Sequence, residues 1–154
     1  PLYLLCLLNS ELMNEYVWRT ATAYKLFQPQ LEIEDISRLP IRRITFTTAT
    51  SEREAAVAEG IQRFEDESLR TGVDFAYPGL ANHAASLLEG VPEKSDAVHD
   101  LLAHLGKLAV ELTADSRAAP APETTRRLQA VRRAIETLVW QLYSSCPAQL
   151  ELPW

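Results

Sequence analysis

Residues 98–112 read Val-His-Asp-Leu-Leu-Ala-His-Leu-Gly-Lys-Leu-Ala-Val-Glu-Leu, and their spacing decides the fold. Large apolar residues recur three and four positions apart, which is the heptad pattern of helices that pack along a seam. The same spacing recurs over residues 128–142. The two seams consist of Val98, Leu101, Leu105, Leu108 and Leu112, and of Leu128, Val131, Ile135, Leu138 and Leu142.

The two seams predict an antiparallel helical hairpin with coiled-coil-like packing. We expect its first helix over Ser95–Thr113 and its second over Glu123–Tyr143. The stretch Ala118–Pro122 is predicted to be the linker, because its prolines cannot continue a helix. Each seam side chain contributes about 1.5–3 kcal/mol when it is fully buried, so pairing the seams stabilises the hairpin.

The chain before the hairpin also reads as mainly helical. A first helix is predicted over Leu4–Thr20, with an irregularity at Asn9-Ser10. Residues 42–47 alternate and carry β-branched side chains, so at most a short strand is expected there. Residues 51–54, Ser-Glu-Arg-Glu, form a capping-box pattern, which predicts the start of a helix that ends near Gly72.

Residues 73–94 are predicted to be a loop with one brief helix. Tyr77-Pro78-Gly79 and Gly90-Val91-Pro92 are turn signals. Between them, Ala84–Leu88 is the apolar piece expected to be helical. The predicted fold class is therefore mainly α, a helical bundle that contains the antiparallel hairpin.

The composition limits what the chain can do by itself. Its 154 residues are 47% hydrophobic and carry a formal net charge of -6. This charge argues against a free-standing nucleic-acid binder, because phosphate contacts need concentrated Lys and Arg. A DNA role therefore requires a local patch or preceding sequence. Because the first residue is Pro1, we expect a fragment or a processed product.

Cysteine use and hydropathy indicate a cytoplasmic protein that does not enter a membrane. Cys6 lies in an apolar run and is expected to be a small buried hydrophobe, with no disulfide to Cys146. The longest apolar run, Leu2–Leu8, is far shorter than the roughly 20 residues that span a bilayer.

Two portions of the chain resemble a known family. In the first, Leu4-Leu5-Cys6-Leu7-Leu8-Asn9-Ser10 opens a helical unit that Leu39-Pro40-Ile41 closes. The second, residues 134–143, reads Ala-Ile-Glu-Thr-Leu-Val-Trp-Gln-Leu-Tyr. Together they resemble the C-terminal target recognition domain of Taq-type adenine-N6 DNA methyltransferases and type IIG restriction–modification enzymes, with Glu136 where the family has aspartate. Residues 66–96 do not match and are expected to be an insertion.

The resemblance implies a DNA-facing loop, because residues 23–33 match the loop between the asparagine-serine helix and the leucine-proline-isoleucine exit. Gln can pair with adenine edges, and Lys can contact phosphate or guanine. The alternatives are a packed surface loop, and arginines paired with the nearby acids Glu32, Glu34 and Asp35 rather than with phosphates. The candidate DNA-binding residues are Tyr24, Lys25, Gln28, Gln30, Arg38, Arg42 and Arg43.

Four further arginines, Arg126, Arg127, Arg132 and Arg133, flank the last seam. Charges beside a coiled-coil seam most often pair with facing acids, and we expect that role here. DNA contact is the alternative.

The sequence contains no pattern for a catalytic or metal site. The Asn/Asp-Pro-Pro-Tyr/Phe motif by which amino-methyltransferases hold the target adenine is missing. The nuclease pattern, Pro-Asp followed by Asp/Glu-x-Lys, is missing too. His83, His99 and His104 lack metal-ligand spacing. We therefore expect no catalytic residue, no metal and no cofactor in this chain. The resemblance implies that S-adenosylmethionine binds elsewhere in a longer parent enzyme.

These patterns predict three segments: 1–50 as the end of the target recognition domain, 51–94 as a helix plus loop insertion, and 95–154 as the antiparallel helical hairpin. The resemblance implies a DNA-specificity scaffold at the C-terminus of an adenine-N6 DNA methyltransferase, with or without a fused endonuclease. Its partners would be the upstream methyltransferase domain and double-stranded DNA. The alternative is a standalone α-helical protein-interaction module.

Overall fold

A computed structural model of the protein describes residues 1–20, 24–25, 28–29, 33–70 and 77–144, of which 24–25, 28–29 and 70 are described by their backbone alone. Over these residues the chain is a mainly α-helical bundle. The elements in chain order are α1 (Leu2–Leu8), α2 (Glu11–Thr20), β1 (Tyr24–Lys25), β2 (Gln28–Pro29), α3 (Ile33–Ser37), α4 (Thr50–Arg70), α5 (Pro78–Leu88), α6 (Ser95–Ala118) and α7 (Pro122–Ser144). None of the described helices is long and apolar enough to cross a membrane.

The helical hairpin predicted from the two seams is confirmed. Residues 119–121 join α6 to α7, and the two helices pack against each other. All five seam residues of α7 are buried, as are the first three of α6, whereas Leu108 and Leu112 are partly buried. α6 continues past its predicted end at Thr113 to Ala118, because the first proline that can stop it stands at position 120.

The helices α1, α2, α4 and α5 pack on this hairpin and share one core with it. α1 and α4 pack on α6, and α5 packs on α7. Gly106 permits the close approach of α1, because a Cβ at this position would lie 2.7 Å from the Sγ of Cys6. Buried side chains from all three predicted segments, among them Leu7, Phe64 and Leu138, belong to a single hydrophobic cluster.

The short strand expected at residues 42–47 is not formed, and this stretch is irregular. The strand pairing in the described part of the chain joins β1 to β2 in antiparallel register, with Tyr24 opposite Pro29. Within the described ranges, no strand pairs with residues 42–47. Their backbone groups bond instead to side chains of Tyr3, Asp96 and Tyr143. The β-branched residues there therefore do not form the hydrogen-bond ladder of a strand.

Two helix starts differ from the prediction. α4 begins at Thr50, so Ser51 lies inside the first turn rather than at the capping position. The predicted turn at residues 77–79 is the start of α5, with Pro78 in the first turn, where its missing N–H is not needed. α5 is therefore longer than the brief helix expected over Ala84–Leu88. The helix α3 was not predicted, and the predicted end at Gly72 lies outside the described residues.

Candidate nucleic-acid interface

The Asn9-Ser10 junction separates α1 from α2 by capping both helices. The side-chain amide of Asn9 donates to the backbone oxygen of Leu5 at 2.8 Å, which also accepts from the backbone N–H of Asn9 at the end of α1. The hydroxyl of Ser10 accepts from the backbone N–H of Met13 at 3.2 Å, which is the bond of an N-cap serine. The predicted irregularity is therefore a defined break between two helices.

A carboxylate of α7 holds the first turn of α2. The backbone N–H of Glu11 donates to both carboxylate oxygens of Glu136, at 3.1 and 3.0 Å. Negative charge is favourable at this end of a helix. Burial nevertheless raises the pKa of Glu136; the N–H of Glu11 opposes the rise and the Glu11 carboxylate adds to it. Glu136 therefore joins α2 to the hairpin.

Two buried tyrosines hold residues 39–42, which we call the exit segment. The hydroxyl of Tyr143, on α7, donates to the backbone oxygen of Pro40 at 2.7 Å and accepts from the backbone N–H of Arg42 at 3.3 Å. The hydroxyl of Tyr3, on α1, donates to the backbone oxygen of Arg42 at 3.1 Å. Burial raises the pKa of both hydroxyls, which like ordinary tyrosines are protonated donors at neutral pH.

The guanidinium of Arg42 points into the molecule. Its side chain is 7% exposed, and it donates to the backbone oxygen of Leu142 and, at 2.5 Å, to the carboxylate of Glu93. The Leu142 carbonyl belongs to the last turn of α7, where positive charge is favourable. Arg42 therefore joins the exit segment to α7 and to the loop that precedes α6.

The other predicted DNA contacts lie before and after this buried arginine. Arg38 is exposed and forms an ion pair with Glu34, which is one of the alternatives considered for it. Arg43 is exposed and makes no ion pair with a described carboxylate. Tyr24, Lys25 and Gln28 contribute their backbone to the β1–β2 pair, and Gln30 lies outside the described residues. The three arginines thus share one segment but have three different environments.

The four arginines of α7 fall into two pairs with different surroundings. Arg127 forms an ion pair with Glu65 of α4 at 2.8 Å, and Arg126 lies 3.9 Å from Glu123. Arg132 and Arg133 line an open groove between α1, α6 and α7. Within the described ranges, no cluster of His, Cys, Asp and Glu side chains has the arrangement of a metal site.

The thiol of Cys6 is buried, as expected, and donates to the backbone oxygen of Leu102 at 3.3 Å. Burial and, to a lesser extent, the Glu136 carboxylate raise its pKa to about 11, so it stays a neutral thiol. A pairing of Cys6 with Cys146 involves a residue outside the described part of the chain.

Sequence reasoning missed Asp96 as a structural residue. Its carboxylate accepts from the backbone N–H groups of Thr47 and Thr48, at 3.0 and 2.8 Å, and from the hydroxyl of Thr48 at 2.7 Å. Burial alone would raise the pKa of Asp96, but these bonds and the one from the N–H of Ala97 outweigh it and lower the pKa. Asp96 thereby fixes the chain just before α4. The Ser95-Asp96 helix start in the sequence is the one signal that pointed to this position.

Comparisons of the chain with protein-family models, with curated proteins and with solved structures found no match in any of the three.

Proposed function

We propose that this chain is the C-terminal scaffold of a site-specific adenine-N6 DNA methyltransferase or type IIG restriction–modification enzyme. It would hold a DNA-facing unit, residues 1–50, in a fixed position relative to the catalytic domain of the parent. The parent would transfer the methyl group of S-adenosylmethionine to adenine N6, and this chain would supply positioning rather than chemistry.

One observation supports the proposal above the others: the two portions that resemble the family are bonded to each other through the residues that carry the resemblance. Glu136 accepts from the N–H that directly follows Asn9-Ser10. Tyr143 bonds to the backbone on either side of Ile41. A motif retained for positioning would be expected to do this, because buried polar groups specify one arrangement of the parts they join.

The DNA-facing edge would run from the β1–β2 pair to Arg43, which directly follows the exit segment. Arg43 is the strongest candidate for a phosphate contact, since it is exposed and has no ion pair with a described carboxylate. Gln28 and Gln30 are the candidates for base contacts, because glutamine can bond to adenine in the major groove. Lys25, Tyr24 and Arg38 would complete this edge.

The test uses the full-length protein that contains this chain, with radiolabelled S-adenosylmethionine and duplex DNA. We expect label in N6-methyladenine. Arg43→Ala should weaken binding to all duplexes and flatten the dependence of affinity on salt, because one phosphate contact is lost. Gln28→Ala or Gln30→Ala should instead cost about 1–3 kcal/mol of discrimination at one base pair.

Arg63→Ala is the matched control, since Arg63 is an exposed arginine on α4 whose ion-pair partner, Glu59, is on the same helix. The isolated chain is a second control and should neither bind S-adenosylmethionine nor methylate DNA. A full-length protein without adenine methylation, or unchanged affinity and site choice in all three variants, would contradict the proposal.

The alternative, a standalone module whose seam pairs with a partner protein, has less support because the two seams are already packed against each other. A protein partner would have to use another surface.

A further inference from the structure

An open groove of about 1180 Å³ lies between α1, α6 and α7, away from the exit segment. Apolar and polar side chains both line it. Leu5 of α1 and Val110 of α6 are 43% and 49% exposed, and Ala109 and Ile135 also line it. Accessible apolar side chains that adjoin one another in a groove rimmed by charged residues are a feature of surfaces that bind another polypeptide.

The charges around the groove are unevenly distributed. Glu11 and Glu136 lie at the end near α2, Arg117 lies near the α6–α7 linker, and Arg132 stands one helical turn before Glu136 on its linker side. Among the lysines and arginines whose side chains the structure describes, Arg43, Arg117 and Arg132 are the ones without an ion pair or hydrogen bond. Two of these three therefore line a single groove, in a chain whose net charge is -6.

We propose that this groove binds an acidic amphipathic helix of a partner protein. The helix would lay apolar side chains on Leu5 and Val110 and direct its carboxylates to Arg117 and Arg132. From Gly106 to Arg117 the groove follows α6 for roughly 16 Å, which matches about three turns of a bound helix. This is the helix-in-groove mode, in which apolar anchors at helical spacing supply affinity and charges supply orientation.

The same features argue against duplex DNA as the ligand. Phosphate contacts do not use the apolar part of the lining, and the carboxylates of Glu11 and Glu136 would repel a backbone that continued along the groove. The carboxylates of Glu11 and Glu136 also orient the bound helix, because they repel its acidic end. That end therefore lies near residues 119–121. Acidic residues favour the N-terminal turn of a helix, so that turn should point towards the α6–α7 linker.

The experiment is fluorescence anisotropy with a labelled peptide of about twelve residues, which has leucines on one helical face and glutamates in its first turns. We expect saturable binding that weakens with added salt. The charge reversal Arg117→Glu with Arg132→Glu should weaken binding by about tenfold or more, and Val110→Ser should weaken it less. Both arginines are exposed, so circular dichroism should be unchanged.

The matched control is Arg43→Glu, the same reversal at the unpaired arginine outside the groove, which should alter affinity by less than about twofold. A peptide of the same composition with its leucines spread around the helix should bind at least about tenfold more weakly. The proposal is overturned if the peptide does not bind, if the groove variants bind it as wild type does, or if only duplex DNA loses affinity in the charge reversal. None of these results depends on the methyltransferase proposal.

Discussion

The hairpin of α6 and α7 and the N-terminal segment, described over residues 1–20 and 33–48, are held in place partly by different means. The hairpin is held by many apolar side chains that repeat along two helices and are buried together. The N-terminal segment shares this core through α1, whose Leu7 is fully buried. Elsewhere it is attached by individual polar side chains, chiefly Tyr3, Arg42, Asp96, Glu136 and Tyr143, each of which satisfies backbone groups of another element. An apolar seam is specified by a repeat, whereas each polar attachment depends on one residue.

This difference affects how each region should respond to mutation. A seam distributes its stabilisation over many contacts, but it cannot accept a charge, because an unpaired buried carboxylate is very unfavourable. A polar attachment contributes less, and its loss leaves a few backbone groups unpaired while the core remains. Substitutions at five positions separate these expectations.

The largest effect is expected for an aspartate in the seam. Leu105→Asp or Ile135→Asp should cost more than about 4 kcal/mol and unfold the hairpin, because both positions are buried between α6 and α7. Circular dichroism and thermal melting would measure this. Val110→Asp, on the exposed side of the same helix, is the control and should melt close to wild type. Unaltered melting of both seam variants would rule out the paired seams.

The next effect should come from Arg42. Arg42→Met would leave the Leu142 carbonyl and the Glu93 carboxylate without their donor, at a cost of about 2 kcal/mol, moderated because Glu93 can return to water. Arg43→Met should stay within about 0.5 kcal/mol, since Arg43 is exposed. Urea unfolding of the two variants makes the comparison. Equal stability of the two variants would show that Arg42 is not a structural link.

The seams explain why the hairpin could be predicted. Periodicity identifies which faces are apolar, and two matched faces with a short linker have one simple way to pair. The sequence also indicated the break at Asn9-Ser10, because both residue types favour helix ends. The α7 boundaries were predicted to within one residue, and the extra length of α6 was missed because weakly apolar turns carry no strong signal.

The attachments of the N-terminal segment could not be predicted from a pattern. Arg38, Arg42 and Arg43 look alike in the sequence, yet one forms an ion pair with Glu34, one is buried and one is unpaired. Residues separated by about a hundred positions, such as Pro40 and Tyr143, are joined by single hydrogen bonds. Such contacts depend on how the elements pack, and a single sequence does not encode them as a repeat. The predicted base contacts of Gln28 and Gln30 stay a prediction.

A smaller, pH-dependent effect is expected at Asp96. Asp96→Asn replaces an acceptor of several N–H and O–H bonds by an amide, so it should cost about 1–2 kcal/mol near neutral pH. The folded-state pKa of Asp96 is lowered, so its contribution is present above the usual aspartate pKa and is lost as the pH falls through the folded value. The difference between wild type and variant should therefore shrink below about pH 4. Asp115→Asn, at an exposed position of α6, is the control. A difference that stayed constant from neutral to acid pH would remove the carboxylate from this role.

The smallest effect is expected at Glu136, and its sign is the informative part. Because the folded-state pKa is raised, ionisation of Glu136 opposes folding: its favourable contribution is complete below the unfolded pKa and is lost as the pH rises through the folded value. Glu136→Gln keeps an oxygen that accepts from the N–H of Glu11 and removes the buried charge, so at neutral pH it should equal or exceed wild type by less than about 1 kcal/mol. Glu136→Ala removes the acceptor as well and should lose about 1 kcal/mol. Urea unfolding at neutral and at acid pH distinguishes the two variants. If Glu136→Gln were as damaging as Glu136→Ala, the attraction of the negative charge to the start of α2 would be the main attachment. The cost of burying that charge would then be the smaller effect.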